Sequence, residues 1–148
     1  MNQNLSQILH LLAAPLTPHT TKEIWCRVVT LGWADCLPTL LAELESQDPN
    51  VRRLVLSLIA EHGENQGDVE NLKPHVIKAL GDSDQLVRQQ AILTIGSLAW
   101  SDDAKPELRQ IVLRDDPPVA SKALQVLIAF SPSEFRKVRH SLRANWRQ

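Results

Sequence analysis

Residues 73–100 read KPHVIKALGDSDQLVRQQAILTIGSLAW, and this stretch decides the fold. Its first part carries three apolar residues on one face of a short helix: Val76, Ile77 and Leu80. Gly81 then suits the left-handed position that follows many helices, and Asp84 can cap the next helix. In the second part, apolar residues recur at helical spacing: Val87, Ala91, Ile95 and Leu98. The stretch therefore predicts two amphipathic helices joined by a tight turn.

The same arrangement occurs twice more along the chain. In each copy a proline stands 13 residues before a valine, and an aspartate stands three residues before that valine. The three sets are Pro38, Asp48 and Val51; Pro74, Asp84 and Val87; and Pro106, Asp116 and Val119. The prolines are 36 and 32 residues apart, a period that is typical of stacked helical repeats.

The flanking segments extend this pattern at both ends. Residues 5–12 predict a short amphipathic helix, and Thr20-Thr21-Lys22-Glu23 resembles a capping box that begins a second one. Together they predict a degenerate first repeat. Ser131-Pro132-Ser133-Glu134 carries the same kind of signal and predicts a terminal helix.

The predicted fold class is all-α. We expect a right-handed α-solenoid of about four helix pairs, with repeats at residues 4–34, 36–63, 71–100 and 102–130. A capping helix at 132–145 closes the last repeat, because the end of a solenoid otherwise exposes apolar surface. Residues 1–148 then form a single domain.

The pattern resembles the HEAT repeat family, above all the short repeats of phycobilin lyase subunits and many bacterial proteins. The matching residues are Leu80-Gly81-Asp82, Val87-Arg88, Ala91 and Ile95-Gly96. The resemblance implies that Asp82 and Arg88 are the pair that links neighbouring turns. Ser46 and Arg114 replace the aspartate in other repeats, and Ala120 replaces the arginine, so a continuous ladder of such pairs is not expected.

Composition narrows the classes of function. Residues 1–130 hold 11 Lys and Arg against 16 Asp and Glu, which disfavours nucleic-acid binding by the whole surface. Two cysteines, Cys26 and Cys36, are too few for a disulfide framework, so we expect both to be free and buried. The sequence shows no signal peptide and no membrane span, and we infer a cytoplasmic protein.

The residues that catalysis needs are not recognisable in this sequence. There is no Walker motif and no GxGxxG, and the cysteines and histidines lack the spacing of zinc ligands. The histidine–glutamate dipeptides of HEAT-type iron hydroxylases are also missing. We therefore expect no enzyme activity, no metal and no cofactor.

A row of side chains on the second helices is the candidate binding surface. When the apolar stripe faces the neighbouring helices, these residues project outward: Arg53, Ser57, Glu61, Gln89, Leu93, Ser97, Ser121, Gln125 and Ala129. We call them the outward row. It is either a solvated face or a protein-binding groove on the concave side. Trp33 and Trp100 are predicted to end second helices, where they serve inter-repeat packing or a ligand-facing rim; Trp25 is predicted to be core.

The terminal helix adds a second candidate surface. Arg136, Arg139 and Arg143 share one helical face, which is either solvated or steers an acidic partner toward the groove. The sequence thus predicts a non-catalytic module that binds another protein as an adaptor, scaffold or inhibitor of the immunity type, and that is a monomer or weak dimer. The alternatives are a phycobilin lyase subunit or chaperone, and nucleic-acid binding through the basic helix.

Overall fold

The computed structural model describes residues 3–13 and 17–130. This part of the chain forms eight α-helices and three short 3-10 helices, and it contains no strand. The α-helices are α1 (Gln3–Leu12), α2 (Pro18–Leu31), α3 (Trp33–Glu43), α4 (Pro49–His62), α5 (Lys73–Lys78), α6 (Gln85–Ser97), α7 (Lys105–Arg114) and α8 (Pro117–Phe130). The 3-10 helices are Gly63–Asn65, Val69–Leu72 and Ala79–Gly81.

The helices stack as successive pairs. The second helices α2, α4, α6 and α8 pack against one another in order, and α7 packs against α8. The predicted all-α solenoid is therefore confirmed. The capping helix predicted for residues 132–145 lies outside the described residues.

Side-chain caps begin three of the second helices. Asp48 Oδ1 accepts a hydrogen bond from Asn50 N at 2.9 Å, and Asp84 Oδ1 accepts one from Val87 N at 3.0 Å, as predicted. The capping box predicted at Thr20 is wrong. Helix α2 begins at Pro18, and Thr17 Oγ1 accepts from Thr20 N at 3.2 Å. Proline at the first helical position has no N–H to satisfy, so the helix starts one turn earlier than the box indicates.

The helix ends depart from the sequence-based picture. Gly81 is not left-handed, because α5 is only six residues long and tightens into the 3-10 turn Ala79–Gly81. Trp33 does not end a second helix; it is the first residue of α3, directly after Gly32 with φ 92°. Helix α3 therefore begins three residues before the predicted repeat boundary at 36, and Pro38 lies inside it.

The left-handed residue of the third repeat is Ala99, with φ 56°. Ala99 N donates to Gly96 O at 3.3 Å, and Trp100 N donates to Ile95 O at 2.9 Å. These two bonds form a Schellman motif, which satisfies the last carbonyls of α6. Glycine usually occupies this position, because the Cβ of any other residue is too close to the following carbonyl oxygen.

Replacing Ala99 with glycine should therefore stabilise the protein. We expect Ala99→Gly to raise the free energy of unfolding by about 0.5–1 kcal/mol, measured by urea denaturation. The matched control is Ala60→Gly within α4, which should lower it by about 0.5–1 kcal/mol. An unchanged or lower stability for Ala99→Gly would show that Ala99 is not held in the left-handed conformation.

The core between the stacked helices is aliphatic. The valines that follow the capping aspartates are fully buried at equivalent positions, Val51, Val87 and Val119, and so is Ala91 where α6 meets its neighbours. Thr94 is a buried polar residue of α6, and its Oγ1 lies 3.0 Å from Leu56 O of α4 and 2.8 Å from Gln90 O. This hydroxyl links two second helices without leaving an unsatisfied polar group.

Two arginine–aspartate pairs join the turns between helices. Arg52 donates from Nε and Nη2 to the two carboxylate oxygens of Asp82, each at 2.9 Å. Arg88 makes the same two bonds to Asp115, also at 2.9 Å each. In both cases Nη1 donates to a carbonyl of the arginine's own turn, Ser46 O at 2.7 Å and Asp82 O at 2.9 Å. Each arginine thus fixes its own turn and binds the next one.

The pairing differs from the one that the resemblance implied. Asp82 and Arg88 do not pair through their side chains, because each of them binds a residue of a neighbouring turn. In the last turn the acceptor is Asp115 rather than position 114, so the ladder continues through repeats two to four despite the shift. It stops at Ala120, which has no donor to offer.

The junction between the first two repeats uses different contacts. Glu43 at the end of α3 accepts a hydrogen bond from Ser6 Oγ, and its Oε2 lies 2.8 Å from His10 Nε2. Both partners belong to α1, so the first helices are joined near the C-terminal end of α3. In the first repeat, Thr21 of α2 stands at the position that Arg52 has in α4. Its Oγ1 donates to Pro18 O at 3.0 Å.

The ladder should contribute measurably to stability. The side chains of Arg88 and Asp115 are only 16% and 13% exposed, so losing the arginine leaves a half-buried carboxylate unpaired. We expect Arg88→Met to lower the free energy of unfolding by about 2 kcal/mol. Arg114→Met is the matched control, since Arg114 is exposed on α7; its effect should stay within about 0.5 kcal/mol in urea denaturation. Equal effects of both changes would contradict the ladder's role.

Candidate protein-binding surfaces

One face of each second helix is turned away from the core. The residues on it stand fifth, ninth and twelfth in each helix, at spacings that place them on one side. They are Lys22, Cys26 and Val29 in α2; Arg53, Ser57 and Ala60 in α4; Gln89, Leu93 and Gly96 in α6; and Ser121, Gln125 and Ile128 in α8. We call this set the second-helix strip. It contains six residues of the predicted outward row.

Exposure varies along the strip. All three residues of α2 and all three of α8 are exposed, whereas those of α4 are half-buried. Three apolar side chains reach solvent: Val29 is 60% exposed, Leu93 43% and Ile128 44%. The side chains of the strip are therefore less exposed on α4 than on α2 and α8, the two ends of the strip. That its residues bind a partner stays a prediction.

Two aromatic rings and a histidine form a cluster at the edge of the first two repeats. Trp25 stacks on His62, with ring centroids 4.3 Å apart and an interplanar angle of 5°. The ring centroids of Trp33 and Trp25 lie 6.1 Å apart, and Trp33 Nε1 donates to Gly67 O at 2.9 Å. Trp25 is packed against the core without being fully buried. The cluster holds the loop after α4 against the first repeat.

Trp100 does not belong to a ligand-facing rim, because only 4% of it is exposed. Its Nε1 donates to Glu70 Oε1 at 3.4 Å, and Lys73 Nζ lies 5.6 Å from the ring centroid. Lys73 also pairs with Asp103 at 3.2 Å. The ring therefore packs between the loop after α4 and the start of the fourth repeat, and we remove it from the candidate surface.

The structure adds a groove that the sequence did not predict. A cavity of about 860 Å³ opens between α5 and α7, with Ile77, Leu80 and Ile111 among its lining residues and Glu107 and Arg114 among its charged ones. The cavity exists because α5 is short and ends in a 3-10 turn. The first helix of the third repeat therefore covers less of this side than the longer first helices α3 and α7 do. A smaller cavity of about 350 Å³ lies between the end of α3 and α5.

The two cysteines differ in their surroundings. Cys36 is buried, and burial raises the pKa of its thiol. Cys26 is exposed on the strip, so the expectation that both cysteines are buried is wrong.

Among the described residues no group of three or more His, Cys, Asp or Glu could hold a metal ion. Within residues 3–13 and 17–130, every helix is too short or too polar to cross a membrane. Arg136, Arg139 and Arg143 lie outside the described part of the chain.

A family model for HEAT repeats matches residues 37–128. The chain belongs to the HEAT repeat family. Comparison with curated proteins and with solved structures gives no match. The matched range covers the three helix pairs that carry the arginine–aspartate ladder, and the first pair lies outside it.

In this HEAT protein, the strip residues of the first repeat were not predicted from the sequence. Lys22, Cys26 and Val29 take their places when Pro18 is aligned with Pro49 and Pro117 as a helix start. The predicted capping box at Thr20 places that start about one turn too late, so its alignment with the starts of the other second helices was missed. A proline directly after a threonine was the signal that identifies the true start.

His62 should make stability depend on pH. Burial lowers the pKa of His62 below its ordinary value of 6.5, and the nearby Glu61 opposes this in part. Below pH 6.5 the unfolded chain therefore takes up a proton before the folded one does, and the free energy of unfolding falls as the pH falls. It should stay constant above that range as far as His62 is concerned.

The variant His62→Phe keeps a ring against Trp25 but cannot titrate. We expect the melting temperature of the wild type to fall more between pH 7.5 and pH 5 than that of the variant, measured by circular dichroism. His19→Gln is the control, because the His19 side chain is 86% exposed, and it should behave as the wild type. Parallel pH profiles for all three proteins would contradict the assignment.

Proposed function

We propose that this HEAT-repeat protein is a non-catalytic binding module that holds another protein against the second-helix strip. It would act as an adaptor or scaffold, or as an inhibitor of the immunity type. The observation that carries the proposal is the strip itself: four stacked helices present one continuous face, and Val29, Leu93 and Ile128 expose apolar side chains on it. Such side chains contribute most to binding when a partner removes them from water.

The geometry of a solenoid supports this choice of face. Each repeat is rotated slightly on the previous one, so the second helices line the concave side and can contact one extended partner at once. The strip residues of α4, and Gln89 and Gly96 of α6, are half-buried between the exposed residues of α2 and α8, which fits a concave surface. The groove between α5 and α7 is the second candidate surface, since Ile77 and Ile111 give it an apolar lining.

Affinity capture with matched variants tests the proposal. The wild type, Leu93→Asp and Leu11→Asp would be immobilised and exposed to lysate of the native organism. Leu11 is 78% exposed on α1, away from the strip, so its change adds the same charge elsewhere. We expect a protein that the wild type and Leu11→Asp retain in equal amounts and that Leu93→Asp loses at least tenfold, by quantitative mass spectrometry.

One result would count against the strip. If Leu93→Asp retained the same proteins as the wild type, the partner would bind elsewhere. A further variant, Ile77→Asp, would then show whether the groove between α5 and α7 is the surface. Circular dichroism of each variant excludes loss of fold as the cause.

A further inference from the structure

The second-helix strip has a positive net charge, whereas residues 1–130 as a whole have a negative one. Residues 1–130 hold 16 Asp and Glu against 11 Lys and Arg, yet the strip contains Lys22 and Arg53 and no acidic residue. The acidic residues next to it are Glu23 and Glu61. Each lies beside a histidine of its own helix, at 4.0 Å from His19 and 3.6 Å from His62. Glu23 and Glu61 lie outside the strip positions, and within the strip the basic groups lie only on α2 and α4.

Two neighbouring arginines of α4 differ sharply in their surroundings. Arg52 is held by Asp82 and by Ser46 O. Arg53 is half-buried, its Nε is buried without a hydrogen-bond partner, and it forms no ion pair within residues 3–13 and 17–130. Arg53 thus keeps a positive charge that no carboxylate of the described residues neutralises, and a carboxylate supplied by a partner would pair with it.

The half of the strip that α6 and α8 form carries no charged residue. Leu93 of α6 and Ile128 of α8 are exposed, and Gly96 of α6 has no side chain that would keep a partner away. The remaining strip residues of these two helices are neutral: Gln89, Ser121 and Gln125. The strip therefore carries its basic groups only over α2 and α4, beside the exposed Val29 of α2, and it carries only apolar and neutral residues over α6 and α8.

We propose that the strip binds an amphipathic segment of a partner protein that carries carboxylates at one end and apolar side chains at the other. The carboxylates meet Lys22 and Arg53, and the apolar side chains cover Leu93 and Ile128. This inference rests on the proposed function, which it deepens by giving the chemistry and direction of the partner segment. A nucleic acid is disfavoured, because the acidic body would repel its phosphates and the apolar half would gain nothing from them.

The length of the segment follows from helix packing. Neighbouring helices pack roughly 8–10 Å apart, so the strip spans roughly 25–30 Å from α2 to α8. An extended chain advances roughly 3.3 Å per residue and crosses this distance with roughly nine residues. A random peptide of 12 residues is therefore long enough to test the proposal.

The experiment is selection from a displayed library of random 12-residue peptides on the full chain. We expect enriched peptides to carry Asp or Glu toward one end and apolar residues toward the other. The best peptide, made synthetically, should lose affinity at least fivefold for Lys22→Glu and for Arg53→Glu, and at least tenfold for Leu93→Asp. The charge control is Arg27→Glu, because Arg27 is exposed on α2 outside the strip, and the second control is Leu11→Asp. The affinity of the peptide for both controls should stay within twofold of the wild type.

A charge exchange identifies the contact itself. A version of the peptide with each Glu and Asp replaced by Lys should bind Lys22→Glu more tightly than the wild type. Lys22 is exposed, so this variant carries the test even if Arg53→Glu fails to fold.

Each contrary outcome has a distinct meaning. Peptides without acidic residues that still depend on Leu93 would overturn the inference and leave the proposed function standing. Peptides whose affinity no strip variant changes would overturn both. Failure to enrich any peptide would contradict a short-segment partner, and affinity capture alone would then judge the proposed function. Tight binding of a 12-nucleotide single strand that Arg53→Glu abolishes would replace the protein partner with a nucleic acid.

Discussion

Each helix pair in this protein can bury its apolar face only against the pair before it and the pair after it. The fully buried Val51, Val87 and Val119 lie at equivalent points of three second helices. An isolated pair would leave much of its apolar surface in water. The turns must then repeat in register, because a rotated pair would expose its valine. The bonds from Arg52 to Asp82 and from Arg88 to Asp115 fix that register at the start of the second helices.

The same constraint leaves the opposite face free for function. Once position and rotation of α2, α4, α6 and α8 are fixed by packing, their fifth, ninth and twelfth residues must form one strip. These positions are not needed for the core, so charge and size can vary there. Lys22, Arg53, Leu93 and Ile128 show this variation, whereas most of the buried residues of these helices are aliphatic.

Much of this arrangement could be predicted from the sequence, because its signals are local. Asp48 and Asp84 cap their helices as expected, since an N-cap needs only three or four neighbouring residues. The capping box at Thr20 is a local failure, since Thr17 and Pro18 mark the true helix start. The other failures depend on tertiary contacts. The burial of Trp100 requires the loop after α4 to fold over it, and the partner of Arg88 lies 27 residues away. The groove beside Ile77 arises from the length of α5 relative to α7, which no single repeat reveals.

The arginine–aspartate ladder also gives the stack a direction. Its second rung runs from Arg88 to Asp115, and Ala120 then stands where the next arginine would be. Tandem duplication of a unit is how repeat arrays gain length. A duplicated copy of the third repeat would bring both an acceptor, Asp82, and a donor, Arg88, and would be joined on both sides. A duplicated copy of the fourth repeat would bring only the acceptor, Asp115, so its junction would rely on apolar contacts. The array would therefore elongate more readily by duplication of the third repeat than by duplication of the fourth.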